Sequence, residues 1–143
     1  MRTKIAYKAS PDSFGPSGSY IYTVILNVQI ALPLPNAPRT KRFEAIVDSG
    51  ATRCLFDADV ATHLGLDFKS GEIEVTQGIG GNETVYLHPI TLHIPGGPVT
   101  TKVGFKEKLP VAGLLGMKGF FEFFQISFDP DAKICEIERI YRT

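Results

Sequence analysis

The chain reads as a mostly β domain with one or two short helices. Three observations predict this. Apolar residues alternate with a period of two over several short stretches, as in Val24, Leu26, Val28 and Ile30. Those stretches are separated by turn clusters built from Gly, Pro, Asn and Asp. Only Phe56 to Leu64 carries helix punctuation at both ends, with Asp57 to cap it and Gly65 to end it. At 143 residues and 43% apolar, the chain can bury one real core.

Taken in order, residues 1–19 are rich in Ser, Pro and Gly and read as a flexible arm, leaving 20–143 as the folded domain. A strand from Tyr20 to Ile30 is broken by the prolines at 33, 35 and 38, because proline cannot donate to a ladder. A second strand, Lys41 to Val47, places Phe43, Ala45 and Val47 on one face and suggests an antiparallel pair with the first. After the helix come strands at Glu72 to Gln77, Thr84 to Ile94 and Val99 to Phe105, turned by Gly78-Ile79-Gly80-Gly81-Asn82 and by Pro95-Gly96-Gly97-Pro98. Leu114 to Phe121 is a compact apolar segment that could form a second short helix. A hairpin closes the chain, Phe123 to Phe128 and Lys133 to Ile140, turned at Asp129-Pro130-Asp131-Ala132.

Charge excludes several functions. Lys+Arg and Asp+Glu are both 15, so the formal net charge is zero and there is no basic footprint for nucleic acid or an anionic membrane. No apolar run is long enough to span a bilayer, and the first twenty residues hold no apolar stretch of the kind an export leader needs. A cytoplasmic protein is expected. Cys54 and Cys135 stand alone, without metal-ligand spacing, and read as two buried thiols. His63 reads as a helix-end residue, and His88 and His93 fall on opposite faces of one strand, so neither a metal nor another cofactor is expected.

Three segments could carry chemistry. The strand Ala45-Ile46-Val47 runs straight into Asp48-Ser49-Gly50-Ala51, which puts a carboxylate at the end of a buried strand beside a hydroxyl and a freely turning backbone. Alone this is an ordinary turn. Ser49 is not a nucleophile elbow, since Val47 and Ala51 occupy the two positions where that motif needs Gly. Gly78, Gly80 and Gly81 around Ile79 make a hairpin tip to which a ligand backbone could come close, whereas a dinucleotide fingerprint would need Gly where Glu83 stands. Finally, Leu114-Leu115-Gly116 places two bulky apolar residues before a Gly and an aromatic-rich stretch.

In that order, Asp-Ser-Gly-Ala, glycine hairpin and Leu-Leu-Gly, the three segments resemble the retropepsin-like aspartic peptidases over roughly Tyr20 to Phe128. The resemblance implies a small closed β-barrel of the acid-protease (retropepsin) type. It implies that Asp48 is the catalytic acid. One chain holds one such triplet and the chemistry needs two carboxylates, so a homodimer acting on a peptide or protein substrate is expected. It further implies that Ser49 braces the two active-site loops, that Gly50 admits the substrate backbone and that Ala51 packs beneath. Gly78, Ile79, Gly80 and Gly81 would form the flap, Leu114 would line a pocket, and Leu115 and Gly116 would support the catalytic loop.

The chain also departs from the retroviral pattern. Thr52 and Met117 stand where retroviral members often carry an acid and an arginine that pair to support the dimer. Arg53 suggests a different outer-subsite preference, and the exposed edge of the Phe123–Ile140 hairpin is a candidate for the dimer sheet. The alternative is a dimeric binding or assembly module that keeps the fold and does not cut.

Overall fold

The computed structural model describes residues 2–78 and 81–141. Its centre is a ring of hydrogen-bonded strands. β4 (Ile25–Ala31), β5 (Phe43–Val47), β10 (Gly113–Leu115), β6 (Leu55–Asp57), β9 (Val99–Lys106) and β8 (Gly81–His93) pair in that order, and β8 closes back on β4. β7 (Glu72–Gly78) adds to β8 alone as a long hairpin in register from Glu72↔Leu87 to Gly78↔Gly81. The alternation seen in the sequence decides the faces: Leu26, Val28 and Ile30 of β4 point inward and are almost fully buried. With Ala45, Phe56, Ile90, Leu92, Val103, Phe105 and Leu115 they fill the ring. Burying a ring such as Phe56 or Phe105 contributes about 2–3 kcal/mol, so this interior is the main source of stability.

Beside the ring lies a three-stranded sheet in which β12 (Ile134–Arg139) runs between β11 (Phe124–Asp129) and β1 (Arg2–Ala6). β2 (Lys8–Pro11) and β3 (Tyr20–Thr23) form a separate two-stranded ribbon. Among the described residues no helix is long and apolar enough to cross a membrane.

The helix α1 spans Ala58–His63 and is punctuated as the sequence indicates. The Asp57 carboxylate accepts from the Asp59 amide at 3.1 Å and from the Leu109 amide at 2.9 Å. Gly65, at φ +70°, closes the far end, where Gly65 N donates to Thr62 O and Leu66 N to Ala61 O, both at 3.0 Å.

Four expectations change. The helix begins at Ala58 and not at Phe56, because Phe56 is drawn into β6 and buried at the centre of the ring. The strand expected over Tyr20 to Ile30 splits at Val24 into β3 and β4. The segment read as a flexible arm instead supplies β1 and β2; Arg2–Ala6 pairs along β12, with Arg2 and Lys4 facing Glu136 and Glu138 across the strands. Short-range composition cannot reveal a partner more than a hundred residues away. Lastly, Leu114 to Phe121 does not form a regular helix. Gly113–Leu115 is captured as a strand between β5 and β6, and the following turn bonds irregularly, with Phe121 N to Gly116 O and Glu122 N to Met117 O.

Candidate active site

The site is made by two parallel strands that end together. β5 and β10 pair in parallel, Ala45 opposite Gly113 and Val47 opposite Leu115, so the loops that follow them emerge on the same side of the ring. The first loop holds Asp48 to Cys54, and the second begins at Gly116. They cross and are bonded backbone to backbone. Asp48 N donates to Leu115 O at 3.0 Å, Met117 N to Ala51 O at 2.9 Å, Lys118 N to Thr52 O at 3.0 Å and Cys54 N to Lys118 O at 2.9 Å.

Gly116 is required by that crossing. A Cβ there would sit 2.5 Å from Arg53 O and 2.7 Å from Ala51 O, both backbone atoms that cannot step aside. Gly113, three residues earlier, is also confined, since a Cβ would lie 2.8 Å from the Phe56 ring. The Leu-Leu-Gly pattern thus brings Leu115 into the core while Leu114, half-buried, pairs opposite Ile46 and Leu55.

Asp48 directly follows β5 and is half-buried. Its backbone carbonyl accepts from Ala51 N at 3.1 Å, and its carboxylate Oδ1 accepts from Gly50 N at 2.9 Å. That fixes the side-chain torsion and spends one carboxylate oxygen; among the described residues nothing donates to Oδ2. Ser49 and Gly50 are exposed and Ala51 is half-buried, and the Ser49 hydroxyl has no partner among the described residues. Asp48, Ser49, Gly50, Ala51, Leu114, Leu115 and Gly116, scattered over two segments of sequence, are therefore brought into one loop pair.

The glycine hairpin is the β7–β8 turn. Gly78 and Gly81 face each other at its last described pair, with Gly81 at φ +113°, a conformation open to glycine at little cost. Ile79 and Gly80, also expected in the flap, lie outside the described residues. One connection between the hairpin and the Asp48–Cys54 loop was not anticipated from the sequence. Arg53 reaches Glu74 of β7 with both arms of its guanidinium, at 3.2 and 3.0 Å, and both side chains are largely shielded from solvent. A bidentate pair of this kind is directional as well as attractive.

Beneath the loops sits Cys54, fully buried, its Sγ 3.4 Å from Gly116 N. Burial pushes its thiol up to about 12, which keeps it protonated and inert. His88 is also buried. Its Nε2–H donates to Phe68 O at 2.7 Å and its ring packs on Phe105, so it pins β8 to the short helical turn at Phe68–Ser70. Burial followed by the nearby Arg39 charge moves His93 down from the usual imidazole value.

The chain matches a family model described as "Aspartyl protease" over residues 39–118, which includes both crossing loops and the hairpin. No curated protein matches it in sequence. In structure it is similar to a retropepsin-like aspartic protease from Rickettsia conorii, with a TM-score of 0.64 and 18% identity over 96% of this chain and 89% of that one. It is also similar to the EIAV protease solved with an inhibitor, with a TM-score of 0.51 and 20% identity over 66% of this chain and 82% of that one. With the family model spanning more than half of its length, the chain belongs to the aspartyl protease family, on a retropepsin-like fold.

Proposed function

We propose that the chain is one half of a homodimeric aspartic endopeptidase whose active site forms when two copies bring their Asp48 side chains together. The observation that carries this reading is the crossed loop pair, which holds a single half-buried carboxylate at the end of β5 with one oxygen unspent. Two such carboxylates at contact distance cannot both ionise easily and share a proton. The ionised one takes a proton from a water between them as that water adds to the scissile carbonyl carbon. The protonated one gives its proton to the carbonyl oxygen. Collapse of the tetrahedral intermediate then breaks the C–N bond and returns a proton to the amine.

In this reading Ser49 braces one loop against its symmetry mate, and Gly50 lets the substrate backbone approach, since the only described atom near its missing Cβ belongs to Asp48 itself. The hairpin from Gly78 through Ile79 and Gly80 to Gly81 closes over an extended peptide, and Leu114 lines a side-chain pocket.

The test is cleavage of a mixed peptide library at several pH values from acid to neutral, comparing wild type with Asp48→Asn and adding a transition-state-like aspartic peptidase inhibitor. Cleavage abolished by both establishes the reading. A dimer that cuts nothing favours a non-catalytic binding or assembly module.

A further inference from the structure

The β2–β3 ribbon is difficult to account for in a lone chain. It pairs with no other strand among the described residues. Both of its faces meet solvent: every residue of β2 is exposed, as are Tyr20 at 54%, Ile21 at 52% and Tyr22 at 44%. The turn at its tip carries Phe14 with its side chain wholly in solvent. An isolated two-stranded ribbon is marginal in water, and a run of aromatic and β-branched side chains open on both faces marks a surface that another surface covers.

Its place in the fold says which surface. The ribbon is rooted beside the candidate active site. β3 leads through Val24 into β4, and Val24 O accepts from Val47 N at 2.9 Å, one residue before Asp48. Lys8 at the base of the ribbon is tied to Glu44 of β5 at 3.0 Å, and Tyr22 lies 5.0 Å from Lys133 Nζ in the β11–β12 turn. The base is thus fixed to β5, the strand that ends at Asp48, with the Val24–Val47 bond next to the carboxylate that needs a partner. The positions expected to hold an inter-loop ion pair carry Thr52 and Met117, so that particular pair is not made.

We infer that the β2–β3 ribbon is a dimerisation arm, which packs Tyr20 and Ile21 against a second copy of this chain and so completes the active site. The inference rests on the homodimeric reading above. The arm supplies apolar contact in place of that ion pair and ties dimer stability to a segment outside the barrel.

The experiment is sedimentation equilibrium on wild type and a Tyr20→Ser/Ile21→Ser variant, whose exposed positions leave the core untouched, together with concentration-dependent peptidase assays. The expected result is a dimer dissociation constant raised at least tenfold with an unchanged circular dichroism spectrum. Specific activity should fall at low enzyme concentration and return at high concentration. Hydrogen exchange on wild type gives an independent readout, with protection of ribbon amides growing as the protein is concentrated. A dimeric wild type and an equally dimeric variant would overturn the arm and leave the homodimer standing. A variant with unchanged dimerisation but raised KM would assign the ribbon to substrate and also overturn it. A wild type monomeric at every concentration would overturn the homodimer and the arm together.

Discussion

The Asp48–Cys54 loop and the β7–β8 hairpin touch through Arg53 and Glu74 but are held in opposite ways. The loop from Asp48 to Cys54 is stitched to Leu115 and the segment after it by four backbone hydrogen bonds and closed over Gly116 with no room for a methyl group. The hairpin has its own ladder and, towards the loop, the Arg53–Glu74 pair. The difference teaches where each kind of precision is needed. In the proposed reading the carboxylate transfers protons and must be placed within a fraction of an ångström, and backbone bonds from two strands achieve that without side-chain entropy. In the proposed reading the hairpin is a cover that must open and close, and among the described residues the Arg53–Glu74 side-chain pair that joins it to the loop can break and re-form.

The comparison can be broken most directly at Asp48. Asp48→Asn should lower peptide cleavage by at least about a thousandfold while leaving the fold intact, because the amide cannot exchange the proton and still accepts from Gly50 N; steady-state kinetics and circular dichroism read the two halves. Next in size, Gly116→Ala should cost about 3 kcal/mol in urea unfolding, since the crossing backbone must separate to admit a Cβ. A stability loss under 0.5 kcal/mol would mean that the loops are not rigidly crossed.

The hairpin side predicts gentler effects. Arg53→Ala and Glu74→Ala should each cost about 1 kcal/mol and raise KM more than they lower kcat, and the double variant should be less harmful than the sum. Strict additivity in that cycle would show the pair to be uncoupled. Gly65→Ala should cost about 1 kcal/mol by straining the left-handed helix end, with kcat/KM of the folded enzyme unchanged, because nothing lies within 4 Å of a Cβ placed there.

The smallest effect is a pH dependence. The Cys54 thiol is pushed up from 9.0 to about 12 by burial, so the folded state keeps a proton that the unfolded chain gives up. The associated stability is complete below pH 9 and declines as pH rises towards 12. Urea midpoints measured across that range should fall, and Cys54→Ala should flatten the fall; an equal slope in the variant would remove Cys54 from the account.

Much of the fold was legible because it depends on local rules. The alternation in β4 and β8, the Asp57 cap, the Gly65 terminus and the turn at Asp129 to Ala132 are each specified by residues within a few positions of one another. What failed was non-local. Phe56 reads as the start of a helix until β9 and β10 claim it as a strand, and Leu114 reads as helical until β5 does the same. The candidate site residues could be named from three weak motifs in order, but Arg53–Glu74 could not, because residues 21 apart meet only when the hairpin folds over the loop.

By itself, then, the sequence determined a mostly β chain, the turn and cap residues, and an Asp-Ser-Gly loop, a glycine hairpin and a Leu-Leu-Gly segment in the family's order. Only the tertiary structure decided that β5 and β10 run in parallel and end together, that Gly116 must lack a side chain, and that Arg2–Ala6 joins the sheet and Lys8–Pro11 the ribbon. The physical reason is that periodicity and capping act over a few residues, whereas pairing register and backbone clearance are set by segments that meet only once the ring has closed.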